Sequence, residues 1–235
     1  GDVQRMTTAE AEFYVTYPSG AYVTSADVPT GFKVSVYYNT TKVTEITLDP
    51  LTDFSVATNR WKVSWKIPKG ALEGINYAFN VTVDAITDAY GNKGPEEYAS
   101  SGEDLSLGFF NVIPAVLTVT TPSLVYPGAG ATLQRTLEAR ASFQVKYPDD
   151  SPVTDEDFEW INVTITGPAA FKVSLTADAY NPAVGLWLAS WDIPYNATLG
   201  AYSFQVKADS VTDKYGNKGP ASDTGTSATF NIGKA

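Results

Sequence analysis

The sequence has 235 residues, a formal net charge of −10 and a pI near 4.4. Nucleic acid and anionic lipid repel so acidic a chain, and neither is an expected partner. The sequence contains no Cys and no His, which excludes a disulfide framework, a thiolate zinc site, a cysteine nucleophile and a histidine base. No apolar run is long enough to predict a membrane span.

Alternating apolar residues, in the same order in each half of the chain, indicate a duplicated β-domain. In the first half they predict strands over residues 13–17, 32–38, 42–48, 61–67, 77–83 and 105–112. The matching strands of the second half cover residues 143–147, 160–165, 171–176, 187–193, 202–208 and 227–232. Short strands separated by Gly, Pro and Asn turns are typical of β-sandwiches. The sequence predicts an all-β fold with domain 1 at residues 1–113 and domain 2 at 114–235.

The fourth strand of each half carries paired tryptophans. In the first half, Trp61 and Trp65 alternate with polar residues and stand in step with aliphatic residues, and Trp187 and Trp191 occupy the matching positions of the second half. Exposed tryptophans could serve as sugar-stacking platforms. Because they share their face with aliphatic residues, a place in the buried core is the favoured interpretation.

A nine-residue phrase, at residues 87–95 and again at 212–220, is the closest internal repeat. The two copies differ at one position, and their aspartates Asp88 and Asp213 lie 125 residues apart. Gly and Asn tolerate positive φ, and Asp accepts hydrogen bonds from the backbone just after it. The phrase therefore predicts a structured loop after the fifth strand.

Oxygen-bearing side chains recur around this loop with identical spacing. They are Asp84, Asp88, Asn92, Asp209, Asp213 and Asn217. Calcium prefers such oxygen ligands, and a calcium site is one hypothesis. The alternative is that the loop aspartates cap the turn through backbone N–H groups, and it is favoured because the spacing matches no established calcium loop. The sequence indicates no other cofactor.

The two halves begin differently. The second half opens with a strand-like segment at residues 116–122 before Gln134, whereas only three residues precede the matching Gln4. The first strand of domain 1 is therefore expected to be missing. Either the sequence is a piece of a longer array, which is favoured, or a neighbouring chain supplies the strand.

Two motifs carry a family resemblance. Trp-x-x-x-Trp-x-Ile-Pro occurs at residues 61–68 and 187–194, and Asp-x-Tyr-Gly-Asn occurs at residues 88–92 and 213–217. Over residues 60–95 and 186–220 the chain resembles tandem immunoglobulin-like repeats of archaeal or bacterial cell-surface and S-layer-type proteins. Tyr90 and Tyr215 stand where Ala is usual in that family. The resemblance implies two tandem immunoglobulin-like antiparallel β-sandwich domains, an extracellular or cell-surface location, and a structural, spacer or adhesive role without catalytic residues.

Four Asn-x-Ser/Thr sequons are candidates for glycosylation. They are Asn39, Asn80, Asn162 and Asn196. Asn80 and Asn162 alternate with apolar strand residues and are therefore expected to face solvent.

The sequence is compatible with two functions. The first is a non-catalytic structural module of a cell-surface, S-layer or filament protein, with neighbouring repeats or copies of the same protein as partners. The alternative is an adhesin or carbohydrate-binding accessory module of a secreted protein, with glycans as partners. Paired carboxylates can also signal glycoside hydrolysis, but here the acids fall mostly in turns, which disfavours catalysis.

Overall fold

The computed structural model of the chain describes residues 1–95 and 105–234. It separates into two compact units, Gly1–Ile113 and Pro114–Ala235, called domain 1 and domain 2 below. The described residues form β-strands, turns and two short 3₁₀ turns, and no α-helix occurs among them.

The described part of domain 1, residues 1–95 and 105–113, contains ten strands. They are β1 (Asp2–Gln4), β2 (Thr8–Phe13), β3 (Phe32–Tyr38), β4 (Thr41–Leu48), β5 (Phe54–Ser55), β6 (Arg60–Lys66), β7 (Gly74–Val81), β8 (Ile86–Thr87), β9 (Lys93–Gly94) and β10 (Leu105–Ile113). Two sheets have the orders β1-β10-β7-β3-β4 and β2-β6-β5, and β8 pairs with β9 as a separate two-stranded sheet. Neighbouring strands are antiparallel except for β1, which runs parallel to β10. In the described part of the domain, β2 lies at an edge of its sheet.

Over residues 114–234, domain 2 contains thirteen strands. They are β11 (Thr118–Val119), β12 (Ser123–Tyr126), β13 (Thr132–Gln134), β14 (Glu138–Phe143), β15 (Val145–Lys146), β16 (Phe158–Thr166), β17 (Phe171–Leu175), β18 (Tyr180–Asn181), β19 (Leu186–Asp192), β20 (Gly200–Gln205), β21 (Val211–Asp213), β22 (Lys218–Gly219) and β23 (Phe230–Gly233). The two 3₁₀ turns are Asp155–Asp157 and Ala177–Ala179.

The sheets of domain 2 repeat those of domain 1 and extend them. One has the order β12-β14-β19-β18, so β14 is paired on both sides, unlike its counterpart β2. The other has the order β13-β23-β20-β16-β21-β22, with β17 also paired to β16. The parallel pair of β13 with β23 repeats that of β1 with β10. Each domain is an antiparallel β-sandwich with one parallel edge strand, and the chain is a tandem pair of immunoglobulin-like domains.

The tryptophans lie in the core of each sandwich, as the strand alternation predicts. Trp61 and Trp187 are fully buried, and each indole N–H donates to a backbone carbonyl, that of Val23 at 3.1 Å and that of Val153 at 3.0 Å. Since the ring nitrogen has a partner, the whole side chain is buried without leaving a polar group unsatisfied. The interpretation of these residues as core is confirmed.

Several strands differ from their predicted bounds for local reasons. β7 stops at Val81 because the chain turns through Asp84, which has a φ of 57°. β20 stops at Gln205, and beyond it the chain is held by Thr224, whose N–H donates to the Val206 carbonyl. The last strand begins at Phe230 rather than at residue 227. The strand predicted at residues 116–122 is two strands, β11 and β12, separated by a stretch that includes Pro122, which has no N–H to donate.

Candidate functional site: the repeated aspartate loops

The loop of domain 2 is built around the buried carboxylate of Asp213. Its Oδ1 accepts the backbone N–H groups of Tyr215 at 3.0 Å and Asn217 at 2.8 Å. Its Oδ2 accepts the Tyr147 hydroxyl at 2.7 Å and the Asn217 side-chain amide at 2.8 Å. Four donors therefore surround one carboxylate, and the side chain fixes the turn as a capping aspartate does.

The loop of domain 1 repeats the same four bonds around Asp88. Tyr90 N and Asn92 N donate to Oδ1 at 2.9 and 2.8 Å, and the Tyr17 hydroxyl and the Asn92 amide donate to Oδ2 at 3.0 and 2.8 Å. The sequence indicated the capping bonds to the backbone. It did not indicate the tyrosines, although both end the first predicted strand at matching positions.

The network lowers the pKa of the Asp88 carboxyl and raises the pKa of both tyrosine hydroxyls. The Asn92 amide, with the backbone N–H groups of Asn92 and Tyr90 and the Tyr17 hydroxyl, lowers the pKa of Asp88. Burial, helped by the Asp88 acceptor, raises the pKa of Tyr17 to about 12. Burial and the bond to Asp213 likewise raise the pKa of Tyr147.

The hydrogen-bond donors around Asp88 and Asp213 disfavour calcium binding. A cation at these oxygens would face N–H and O–H groups that already point at them. Asp84 and Asp209 are exposed at positive φ, and their backbone N–H groups donate to the carbonyls of Pro95 and Pro220 at 3.1 and 3.0 Å. Within residues 1–95 and 105–234, no cluster of three or more acidic, Cys or His side chains is placed to hold a metal. We therefore expect calcium to have little effect, and this stays a prediction.

The four sequon asparagines occupy two kinds of position. Asn39 and Asn196 are exposed, and Asn39 lies in the tight turn between β3 and β4 at a φ of 53°. Asn80 and Asn162 are half-buried on strands β7 and β16. Asn162 Oδ1 accepts the Ser174 hydroxyl at 2.8 Å, and Asn80 Oδ1 is shielded from solvent. The expectation that both strand asparagines face solvent is thus only partly met.

Domain 1 also carries an aromatic pair that domain 2 lacks and that the sequence did not single out. The rings of Tyr14 and Tyr22 lie 5.3 Å apart, are 48% and 45% exposed, and have the Arg60 guanidinium 4.9 Å from the Tyr14 ring. Gln144 and Pro152 stand at the matching positions of domain 2. A comparison of these positions between the repeats is the signal that would have found the pair.

The segment that opens domain 2 covers its aspartate loop. Ala115 N donates to Asn217 Oδ1 at 2.8 Å, and Leu117 N donates to the Lys218 carbonyl at 2.8 Å. Leu117 is fully buried, and so is Asn217. In domain 1 the matching Asn92 is exposed. The two loops therefore have the same internal hydrogen bonds, but among the described residues only the loop of domain 2 is covered by a further segment.

Comparison with known proteins gives fold-level likeness only. No protein-family model matches the chain, and no curated protein matches it in sequence. Among solved structures, the titin domains Z1Z2 in complex with telethonin are 14% identical, with 100% of this chain and 91% of that chain covered and a TM-score of 0.34. The fibronectin(III)-like modules of Clostridium thermocellum CbhA are 11% identical, with 99% and 88% covered and a TM-score of 0.27.

A third structure is SGBP-B of the Bacteroides ovatus mixed-linkage glucan utilization locus, in complex with a mixed-linkage heptasaccharide. It is 13% identical, with 99% of this chain and 43% of that chain covered and a TM-score of 0.24. Similarities this low transfer no ligand, partner or role to the present chain. In the described part of the chain, no helix is long and apolar enough to cross a membrane.

Proposed function

We propose that the chain is a non-catalytic extracellular structural module, a tandem pair of immunoglobulin-like repeats from a cell-surface, S-layer or filament protein. The observation that carries the proposal is the repeated Tyr–Asp–Asn network. In both domains every oxygen of the loop carboxylate is occupied by donors of its own domain. The carboxylates of Asp88 and Asp213 thus stabilise the fold, and neither has an oxygen without a donor from its own domain.

The acidic, Cys-free and Thr-rich surface fits a location outside the cell, where sequons can be glycosylated. Asn39 and Asn196 are the most accessible acceptors, and a glycan attached there would project into solvent. Neighbouring repeats or further copies of the protein are the proposed partners.

Brief protease treatment of intact source cells, followed by mass spectrometry, tests the proposal. We expect peptides of this chain to be released before lysis, and sugar mass to be found on peptides that contain Asn39 or Asn196. Release only after lysis would contradict the surface location. A cytoplasmic protein released by leaking cells, measured in the same samples, is the control.

The alternative, a carbohydrate-binding module, is favoured by one observation, the exposed Tyr14–Tyr22 pair beside Arg60. A glycan-binding site would require exposed aromatic rings on which sugars can stack, and this pair occurs in only one of the two repeats. A glycan array decides between the two functions, with Tyr14→Ala as the test variant and Tyr195→Ala, at a tyrosine 79% exposed in domain 2, as the matched control. Binding that the first variant abolishes and the second retains would favour the alternative.

A further inference from the structure

The outward face of β16, the face turned away from the core of domain 2, carries an aromatic ring beside a sequon asparagine. On the core side of this strand Ile161 is 1% exposed and Val163 is fully buried. Trp160 and Asn162 alternate with these residues and therefore share the outward face. Side chains two residues apart on a strand are separated by about 7 Å along it. The indole and the amide are therefore neighbours.

The amide of Asn162 is held with its nitrogen available. Its Oδ1 accepts the Ser174 hydroxyl at 2.8 Å, and Ser174 lies directly across from Asn162 on β17. Because the oxygen is fixed on the β17 side, the nitrogen Nδ2 turns away from that strand. Among the described residues, none accepts a hydrogen bond from Nδ2. Thr164, two residues further on, supplies the hydroxyl that completes the sequon.

The indole of Trp160 has a ring surface that the domain leaves open. Trp160 is 37% exposed, whereas Trp187 on the core side of β19 is fully buried. Each core tryptophan packs against other aromatic rings, as Trp187 does against Phe158 and Tyr180. Trp160 packs against no aromatic ring of the described chain. Part of its apolar surface therefore faces water, and covering that surface is favourable.

Domain 1 lacks both members of this pair. When the two domains are matched by strand register, Lys33 and Gly31 of domain 1 stand where Asn162 and Trp160 stand in domain 2. Neither a sequon nor an aromatic ring is present at that place in domain 1. Since the same sandwich forms there without them, the fold itself does not require the indole at this position.

A sugar ring is a suitable ligand for the open face of the indole. The C–H groups of a pyranose carry small positive charges and the face of an aromatic ring is negative, so that the two attract each other. Contact also removes apolar surface of both rings from water. A sugar attached to Asn162 Nδ2 is already held within reach of Trp160, so the contact is intramolecular and avoids the cost of association.

We infer that Asn162 is a glycosylation site whose first sugar stacks on Trp160, with Ser174 orienting the acceptor amide. In the transfer, Nδ2 bonds to the anomeric carbon of a lipid-diphosphate-linked sugar. The bond from that carbon to the diphosphate breaks, and one amide proton is released with the diphosphate. Because β16 is paired on both sides, transfer occurs before the strand joins its sheet. The inference rests on the proposed function, since an exported chain is one that meets such a donor.

The test compares the 235-residue chain secreted by a eukaryotic host that glycosylates sequons with the same chain made without glycosylation. Every sample carries Asn196→Gln, so that Asn162 is the only sequon of domain 2. We expect mass spectrometry to find sugar on the Asn162 peptide. The melting temperature of domain 2, followed by its assigned amide NMR signals, should be about 3 °C higher with the glycan. Trp160→Ala should abolish this rise, and Trp160→Phe should retain most of it.

The other sequon of domain 2 provides the matched control. A second set of samples carries Asn162→Gln and keeps Asn196, which is exposed in the loop between β19 and β20. Its glycan should change the melting temperature of domain 2 by less than about 1 °C, with or without Trp160→Ala. In the first set, NMR should also show cross-relaxation between protons of the first sugar and the indole of Trp160.

Three results would overturn the inference. They are an Asn162 peptide without sugar, a rise in melting temperature that Trp160→Ala leaves unchanged, and sugar protons that show no contact with the indole. None of these results bears on where the protein is located, which protease treatment of intact source cells measures separately. Failure of the inference and failure of the proposed function therefore give different results.

Discussion

Asn217 in domain 2 is fully buried and accepts a hydrogen bond from Ala115, whereas Asn92, at the same place in domain 1, is exposed. Tyr147 is 2% exposed, and its counterpart Tyr17 is half-buried. The residues and their internal bonds are the same in both domains. Among the described residues, the difference lies in the opening segment of domain 2, which bonds to Asn217 and Lys218 and shields the loop from solvent.

Substitution of the core tryptophans that the two domains share should have the largest effect on stability. Trp61→Ala and Trp187→Ala should each lower the unfolding free energy of their own domain by about 3–5 kcal/mol, because each deletes a fully buried ring and its hydrogen bond. Urea unfolding followed by amide NMR signals assigned to each domain measures this. A variant that unfolds like the parent would show that the two cores are not equivalent.

The loop tyrosine should contribute more to stability in domain 2, where the opening segment covers the loop, than in domain 1. Tyr147→Phe removes a hydrogen bond to a carboxylate and should cost domain 2 about 1.5–3 kcal/mol. Tyr17→Phe, the matched change in the more open domain, should cost less. Equal losses in the same urea experiment would mean that the covering segment does not strengthen the network.

Tyr17 and Tyr147 also predict that the stability of the protein falls at high pH. The folded-state pKa of both tyrosines is raised above the unfolded value of about 10. Their contribution is therefore complete below about pH 10 and is lost as the pH rises, for Tyr17 toward about 12. Melting temperature against pH should fall less steeply in the two Phe variants than in the parent, and identical slopes would contradict the assignment.

Gly219 and Gly94 occupy matching positions, but only Gly219 has described atoms close to it. Gly219→Ala should cost domain 2 about 1–3 kcal/mol, because the new Cβ meets the Leu117 carbonyl. Gly94→Ala should change domain 1 by no more than about 0.5 kcal/mol. Comparable losses in both domains would mean that domain 1 is covered as domain 2 is.

Calcium should have the smallest effect. Melting curves in EDTA and in millimolar calcium should nearly coincide, because the carboxylates of Asp88 and Asp213 each accept four hydrogen bonds already. A rise of several degrees with calcium, abolished by Asp88→Ala or Asp213→Ala, would overturn the capping interpretation.

Local pattern was enough to predict much of the fold. β3 matches its predicted bounds, since alternation runs from Phe32 to Tyr38 and the flanking Gly31 and Asn39 both take positive φ. Long-range partners could not be predicted. Tyr17 meets Asp88 across 71 residues, and Gly94 and Gly219 are identical in sequence context although only one is crowded. Such differences arise from tertiary contacts, which no single segment encodes.

Hydrogen exchange of the free chain tests the central claim most directly, namely that one covering segment distinguishes the domains. Mass spectrometry would compare residues 10–16 with residues 140–146 in a sample shown to be monomeric. Because β14 and β15 have partners on the covered side and β2 has none described, the first segment should exchange faster than the second. Equal protection of the two segments would contradict the claim and mean that domain 1 closes its edge by itself.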